Sequence, residues 1–336
     1  MSDPLVVIDA DVLGRRRTGD ETYVENLLRA LPGSGDGLRF AAVTRHPDLV
    51  PAGVEPIVLP ARSQELRMAV RLPLLLRRLR PALVHFVHAL PPALPCPAVL
   101  TVQDLSFERD ASLMGARETA IFRLVVPRSA RRARTVLAIS ERTKHDLVQL
   151  YGLPAGKVTV TPLAPDPAFR PGGTRKDYVL LSGSIEQRKN PLLAADAAAA
   201  AGRQLVVAGP ERDRSLVAEL RRRGADVRGF VAKEELVQLM QEAAALLFPT
   251  RHEGFGLPVV EAMACGTPVV ATPDLAVREA GGDAVAYAEP REFASTLGRV
   301  LADPEPWSRA GLERAHSLSW ERTAAATVDV YRAVLE

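Results

Sequence analysis

The chain has 336 residues, 47% hydrophobic and 25% charged, a globular composition at a length that argues for two domains of about 100–200 residues each. Lys plus Arg number 43 against 40 Asp plus Glu, a net charge of +3, which speaks against a dedicated nucleic-acid binder with its strong basic excess. Cys96 and Cys265 form no CxxC pair and suggest neither a disulfide framework nor a zinc site, and with no signal-peptide pattern and no apolar run of ~18 residues the chain reads as cytoplasmic and soluble.

Short apolar runs alternate with helical patterns. Strands are predicted at Leu5–Ile8, Phe40–Val43, Pro56–Leu59, Leu83–Val87, Ala98–Val102, Val136–Ile139 and Val158–Val160. Helices are predicted over Asp20–Leu31 and near 64–79, 115–133 and 141–150. The Pro- and Gly-rich stretch 161–174 has no periodicity and reads as an interdomain linker. The alternation then restarts, with strands at Tyr178–Leu181, Gln204–Ala208, Asp226–Phe230, Ala245–Phe248 and Pro268–Ala271. Helices are predicted near 190–201, 213–223, 233–242, 257–264, 275–280 and 291–302, and 305–336 reads as wholly helical. This is the pattern of two α/β doubly wound domains, each on a mostly parallel sheet, with a crevice between them.

The basic residues divide into 38 Arg and 5 Lys, which resembles coding bias and makes each Lys stand out. Residues 1–170 carry a net +6, much of it in the stretches Arg62–Arg80 and Arg117–Arg134. Beside Leu74, Leu75 and Leu76 these suggest peripheral contact of the N-terminal domain with an anionic membrane face, against the preferred reading of solvated helix faces.

The most informative segment is HEGFGLPVVEAMACG, His252–Gly266, which follows a strand and opens a helix. Gly254 and Gly256 let the backbone approach a ligand, and Pro258 suits the first helical turn. The helix N-terminus then offers free N–H groups to a phosphate. Glu253 and Glu261 bracket this turn, eight residues apart, and as carboxylates they suit sugar hydroxyls rather than phosphate; equally, they read as capping and surface residues of the turn. A second segment, LSGSIEQRKNP over Leu181–Pro191, also joins a strand to a helix, with Asn190 as predicted N-cap and Pro191 at the first helical position. It sets Arg188 and Lys189 at a helix mouth, where two cations are unfavourable unless an anion sits between them. Asp9-Ala-Asp11 resembles a metal-binding DxD but stands at the first strand end and is read as a strand-end turn.

HEGFGLPVVEAMACGTPVVAT resembles the donor-site signature of the GT-B fold retaining glycosyltransferases, family 4 (glycosyl transferases group 1), and GSIEQRKNP resembles that family's Gly-x5-Lys-Asn stretch. TVQDLSF, LAISERTKHDL, TGDETYVENLLRAL and SWERTAAATVDVY resemble further segments of the family, in order and over nearly the whole chain. The resemblance implies two Rossmann-like domains facing across a deep crevice: an acceptor-side domain over 1–166, a donor domain over 167–318, and a closing helix over 319–336 that crosses back to the first. It implies retaining, metal-independent transfer of a hexosyl group from a nucleotide-diphosphate sugar, UDP- or GDP-linked, to the hydroxyl of a sugar-containing or lipid-linked acceptor, with no cofactor and no nucleic acid.

Carried over by residue, Glu253 contacts the donor sugar, Glu261 the ribose, and Lys189 the diphosphate. The backbone of Gly254, Phe255, Gly256 and Leu257 lies by the diphosphate and sugar. Gly183, Ser184, Arg188, Gly209 and Val231 complete the donor site. Asp104 joins Glu253 and Lys189 as a catalytic candidate, and Gly19, His88 and Gln103 as a candidate donor or acceptor loop. Two departures stand out: Ser184 replaces a frequent Arg, and Gln103 replaces a His that touches the donor sugar. They keep open a catalytically impaired nucleotide-sugar-binding protein, beside a nucleotide-sugar epimerase of the same architecture. A dinucleotide oxidoreductase and a P-loop NTPase are disfavoured, because neither GxGxxG after a strand nor GxxxxGK[ST] occurs.

Overall fold

A computed structural model describes residues 3–15, 18–61, 63–109 and 116–336; Arg62 and part of the loop between Gly14 and Gly19 lie outside them. The chain divides into two units, Met1–Leu163 with Ser319–Glu336, and Ala164–Leu318.

The first unit is built on seven parallel strands in the order β3-β2-β1-β4-β5-β6-β7. They are β1 Leu5–Asp9, β2 Arg39–Thr44, β3 Glu55–Val58, β4 Leu83–Val87, β5 Ala98–Val102, β6 Thr135–Ala138 and β7 Val158–Val160. Strands such as AVLTV are buried along their whole length, as a parallel sheet covered on both faces requires. The strand order reverses between β1 and β4, and the crevice outside the carboxyl ends of such a pair is where open α/β sheets bind ligands.

The second unit carries six parallel strands in the order β10-β9-β8-β11-β12-β13. They are β8 Tyr178–Ser182, β9 Gln204–Ala208, β10 Asp226–Gly229, β11 Ala245–Phe248, β12 Val269–Ala271 and the two-residue edge strand β13 Ala286–Tyr287. Here the order reverses between β8 and β11. The Ala-rich helix Pro191–Ala200 buries Ala194, Ala195, Ala197 and Ala198 among Val179, Leu181 and Val207, so small side chains let it approach the sheet closely. Each buried Leu or Val of these strands contributes about 1.5–3 kcal/mol. Both units are thus doubly wound, Rossmann-like sheets.

Local details depart from the sequence reading. The tail is two helices, Glu305–His316 and Trp320–Leu335, because Ser319 turns extended (φ −148°) and its hydroxyl accepts from Arg322 N at 3.2 Å as an N-cap. Asn190 does precede helix Pro191–Ala200, yet its side chain makes no capping bond; it supplies a left-handed residue (φ 49°), a conformation Asn tolerates. β13 is too short to leave a pattern in sequence.

The final helix belongs to the first unit through a buried polar chain. Tyr331 Oη lies 2.6 Å from His85 Nδ1, His85 Nε2 lies 2.7 Å from Thr101 Oγ1, and Tyr23 Oη lies 2.8 Å from the same hydroxyl. Burial pushes the His85 imidazole down to about 3, so the chain is a neutral one at physiological pH. Among the described residues no helix is long and apolar enough to cross a membrane.

Candidate functional site

The two motif loops of the second unit leave β8 and β11, the neighbours at its reversal point. After β11 the chain runs through Pro249 and Thr250 into HEGFG and then helix Leu257–Ala264. Gly256 is the N-cap at φ 105°, a conformation open to glycine and strained for any other residue. After β8 the chain passes Gly183 and Ser184 to a 3-10 turn, Gln187–Lys189, ahead of helix Pro191–Ala200. The end of β9 presses against this loop: a Cβ on Gly209 would lie 2.0 Å from Gly183 O, so only glycine fits there. Gly209 N donates to Gly229 O at 2.7 Å, which ties in the end of β10 and the half-buried Val231 beyond it.

The anion expected between Arg188 and Lys189 is Glu253. Its Oε1 accepts from Lys189 Nζ at 2.6 Å and from Thr250 Oγ1 at 2.6 Å, and lies 3.1 Å from an Arg188 guanidinium nitrogen. Arg188 also pairs with Glu186 at 2.8 Å and donates to His252 O. Lys189 Nζ stands 5.0 Å from the centre of the Phe248 ring, a cation–π contact. Burial opposes ionisation of Glu253, but Lys189 and Arg188, with the hydrogen bonds from Lys189 and Thr250, outweigh it and hold the carboxyl at about 2. Burial likewise lowers Lys189, against the attraction of Glu253.

Glu261 is the fifth residue of helix Leu257–Ala264, one turn further in than the sequence suggests. It is 7% exposed, as Glu253 is. Burial, reinforced by the charge of Asp166 and opposed by Lys233, pushes it up to about 8. Asp166 is itself buried, accepting from Ala168 N at 2.9 Å and from Lys233 Nζ at 2.8 Å. The structure therefore brings together Gly183, Arg188, Lys189, Glu253 and Gly209, and it sets Glu261 in a separate electrostatic environment with Asp166 and Lys233.

In the first unit, residues after β1, β4 and β5 meet at the reversal point. His88 follows β4 in a left-handed conformation (φ 62°), which is uncommon for non-glycine residues but one in which His is enriched. Its Nε2 lies 3.2 Å from Asp20 Oδ1, in the first turn of helix Thr18–Ser34. Gln103, 7% exposed, follows β5; its Nε2 is buried with no partner among the described residues, and a Cβ on Gly19 would lie 3.5 Å from its Oε1. Asp104 follows Gln103, and its Oδ1 accepts from Ser106 N at 3.0 Å and Ser106 Oγ at 2.8 Å, a local turn ahead of the one-turn helix Ser106–Arg109.

Asp9 and Asp11 form the strand-end turn, and arginines occupy both. Arg67, fully buried in the π-helical turn Arg67–Arg71, pairs with Asp9. Arg45 holds Asp11 through two nitrogens at 2.7 and 2.8 Å, and Arg15 adds a third contact at 3.0 Å. Thr250, Asp166, Asp20 and Arg67 stand out in the structure and not in the sequence. Lys233 carried one signal, its place among five Lys; the others carried none.

Residues 17–169 match the family model described as Glycosyltransferase Family 4, and residues 176–303 that described as Glycosyl transferases group 1. The chain belongs to the group 1, family 4 glycosyltransferases. Among curated members, O-antigen chain mannosyltransferase B of Escherichia coli is 27% identical over 231 residues, 60% of this chain and 61% of that protein. D-inositol 3-phosphate glycosyltransferase 2 of Catenulispora acidiphila is 32% identical over 244 residues, 60% of this chain and 56% of that protein. The match thus spans somewhat over half the length of these relatives. Among solved glycosyltransferase structures, sucrose-phosphate synthase from Thermosynechococcus elongatus superposes with a TM-score of 0.77 at 18% identity over 98% of both chains. Anabaena HepE in complex with UDP-glucose gives 0.69 at 16% identity, covering 98% of this chain and 99% of that one. At these identities the likeness is one of fold, the two Rossmann-like domains of GT-B glycosyltransferases.

Proposed function

We propose that this family 4 glycosyltransferase moves a hexosyl group from a nucleotide-diphosphate sugar to an acceptor hydroxyl with retention at the anomeric carbon and without a metal. The observation that carries this reading is the convergence, at one reversal point, of Lys189, Arg188 and the Gly256 helix entry with Glu253. Lys189, Arg188 and the helix N–H groups are suited to neutralise the leaving diphosphate. In that reading the bond from C1 to the phosphate oxygen breaks, the acceptor oxygen bonds C1 on the same face, and its proton passes to the departing phosphate oxygen. Glu253 takes sugar hydroxyls and Glu261 those of the ribose. Asp104, engaged in its own turn, supports the site by shaping the loop after Gln103.

The nature of the donor is tested by a thermal-shift screen with UDP, GDP, ADP and TDP sugars, since ligand binding to the native state raises the melting temperature with occupancy. A shift with one nucleotide class followed by transfer with retained configuration supports the reading; no shift with any of them overturns it. A second reading, a nucleotide-sugar binder without transfer, draws on Gln103, whose amide cannot titrate; it predicts donor binding with no product on any acceptor. Epimerase activity would appear as an isomerised sugar with donor alone. Leu66, Val70 and Leu74, exposed at four-residue spacing beside Arg71, Arg77 and Arg78, support peripheral contact with an anionic membrane; unaltered sedimentation with anionic vesicles would count against it. A cytoplasmic location, with access to the inner membrane face, accompanies that proposal.

A further inference from the structure

Two hydrogen-bond donors and a second cation converge on a single oxygen of Glu253. Lys189 Nζ and Thr250 Oγ1 each stand 2.6 Å from Oε1 and the Arg188 guanidinium 3.1 Å from it. The surroundings are dry: Thr250 is 2%, Glu253 7% and Lys189 8% exposed. Thr250 is fixed from behind, since Thr272 Oγ1 donates to its carbonyl. Its own hydroxyl has weaker alternatives, His252 O at 3.3 Å and Arg188 O at 3.5 Å, so the Glu253 bond is the one its geometry favours.

Lys189 and Arg188 are the cations that a diphosphate needs under the function proposed above, on which this inference rests. In the ligand-free protein a carboxylate already holds them. A diphosphate entering the site competes with that carboxylate for the same protons. Once released, Glu253 is a buried charge that must find other donors, because an unsatisfied buried carboxylate is strongly unfavourable. A sugar attached to the diphosphate offers hydroxyl donors to Glu253; a bare nucleotide diphosphate has only its ribose hydroxyls, which the proposed function assigns to Glu261, and the N–H groups of its base.

We propose that Glu253 is the resting counter-anion of Lys189 and Arg188, latched by Thr250, and that the site favours an intact nucleotide-sugar over the bare nucleotide diphosphate because only the sugar's hydroxyls satisfy the released carboxylate. Thr250 is then a positioning residue. It sets how costly the release is, for substrate and product alike, while Glu253 itself sets the preference between them. The preference clears the product after transfer, since the bare diphosphate is left facing an unsatisfied carboxylate.

The test measures equilibrium binding of UDP, UDP-glucose, GDP and GDP-mannose to the full chain by calorimetry, using whichever pair binds. Thr250→Val removes the latch and leaves every charge in place. It is expected to tighten the bare nucleotide and the nucleotide-sugar by a common factor of about 3–10, the size of one lost hydrogen bond, with Thr250→Ser returning both to wild type. Glu253→Gln is expected to tighten the bare nucleotide while collapsing the ratio between the two ligands about tenfold. If Thr250 merely holds Glu253 ready for the sugar, Thr250→Val weakens the nucleotide-sugar alone, and the proposal falls. If Glu253 acts only by repelling phosphate, Glu253→Gln tightens both ligands equally and the ratio survives, which also overturns it. Should Thr250→Val fail to fold, the Glu253→Gln ratio decides. Failure of the wild type to bind any nucleotide or nucleotide-sugar of the UDP, GDP, ADP and TDP classes refutes the proposed function, and the latch with it; binding in which Glu253→Gln leaves the ratio unchanged, or Thr250→Val leaves both affinities unchanged, refutes the latch alone.

Discussion

Glu253 and Glu261 lie eight residues apart around one helix entry, equally buried, and their chemistry is opposite. Glu253 sits among Lys189, Arg188 and Thr250 and is ionised, down at about 2. Glu261 sits beside Asp166 with only the opposing Lys233 and is pushed up to about 8. Burial acts on both in the same direction, so the neighbours decide the sign. A carboxylate that is always charged suits exchange with a diphosphate. One that holds its proton near neutrality can donate as well as accept, which suits a pair of ribose hydroxyls.

The sharpest way to break this contrast is Glu253→Ala. It should lower transfer by about 10²–10³-fold, the scale of losing one preorganised polar partner at a reacting group, with the fold retained by circular dichroism. It also leaves Lys189 and Arg188 buried without their carboxylate, so its melting temperature should fall. Full activity would sink the assignment of Glu253. Next in size, Lys189→Ala should weaken the bare nucleotide diphosphate about 10–100-fold, as expected for one charge-assisted contact; an affinity equal to wild type in titration would remove Lys189 from the diphosphate site.

The pH response separates the two carboxyls. The stability from the depressed Glu253 is present above its ordinary value of 4.5 and is lost as pH falls towards about 2. The raised Glu261 works the other way. Between 4.5 and about 8 the native state keeps a proton that the unfolded chain has released, so stability falls as pH rises through that window. Glu261→Gln abolishes this loss, at most about 1.4 kcal/mol per pH unit. Melting curves of wild type and variant from pH 5 to 8 should therefore diverge, and parallel curves would show that Glu261 is not proton-bound. The smallest effect is expected from Lys233→Met. Removing the cation that opposes Asp166 should move the upper end of the wild-type window to higher pH by a fraction of a unit to one unit, read from the same melting series.

Much of the fold was legible because most of its strands are short, largely apolar runs set between helical patterns. AVLTV and ALLF are buried at every position, as a sheet covered on both faces requires. The strand-to-helix loops were legible for a related reason. Glycine at 256 and proline at 258 mark a helix entry, and the structure has one there, with Gly256 as its N-cap. The departures were local choices between near-equal alternatives: the break before Ser319 and the left-handed Asn190, where short-range geometry decides within a few residues.

Sequence alone thus determined the two doubly wound sheets and the strand-to-helix loops at their reversal points, because strand burial and turn chemistry are short-range demands written into neighbouring positions. The tertiary structure decided what those residues are. Lys189 meets Glu253 across 64 positions, Lys233 meets Asp166 across 67, and Arg67 meets Asp9 across 58. Charge, burial and hydrogen bonding act through space, and only the fold states which side chains share it.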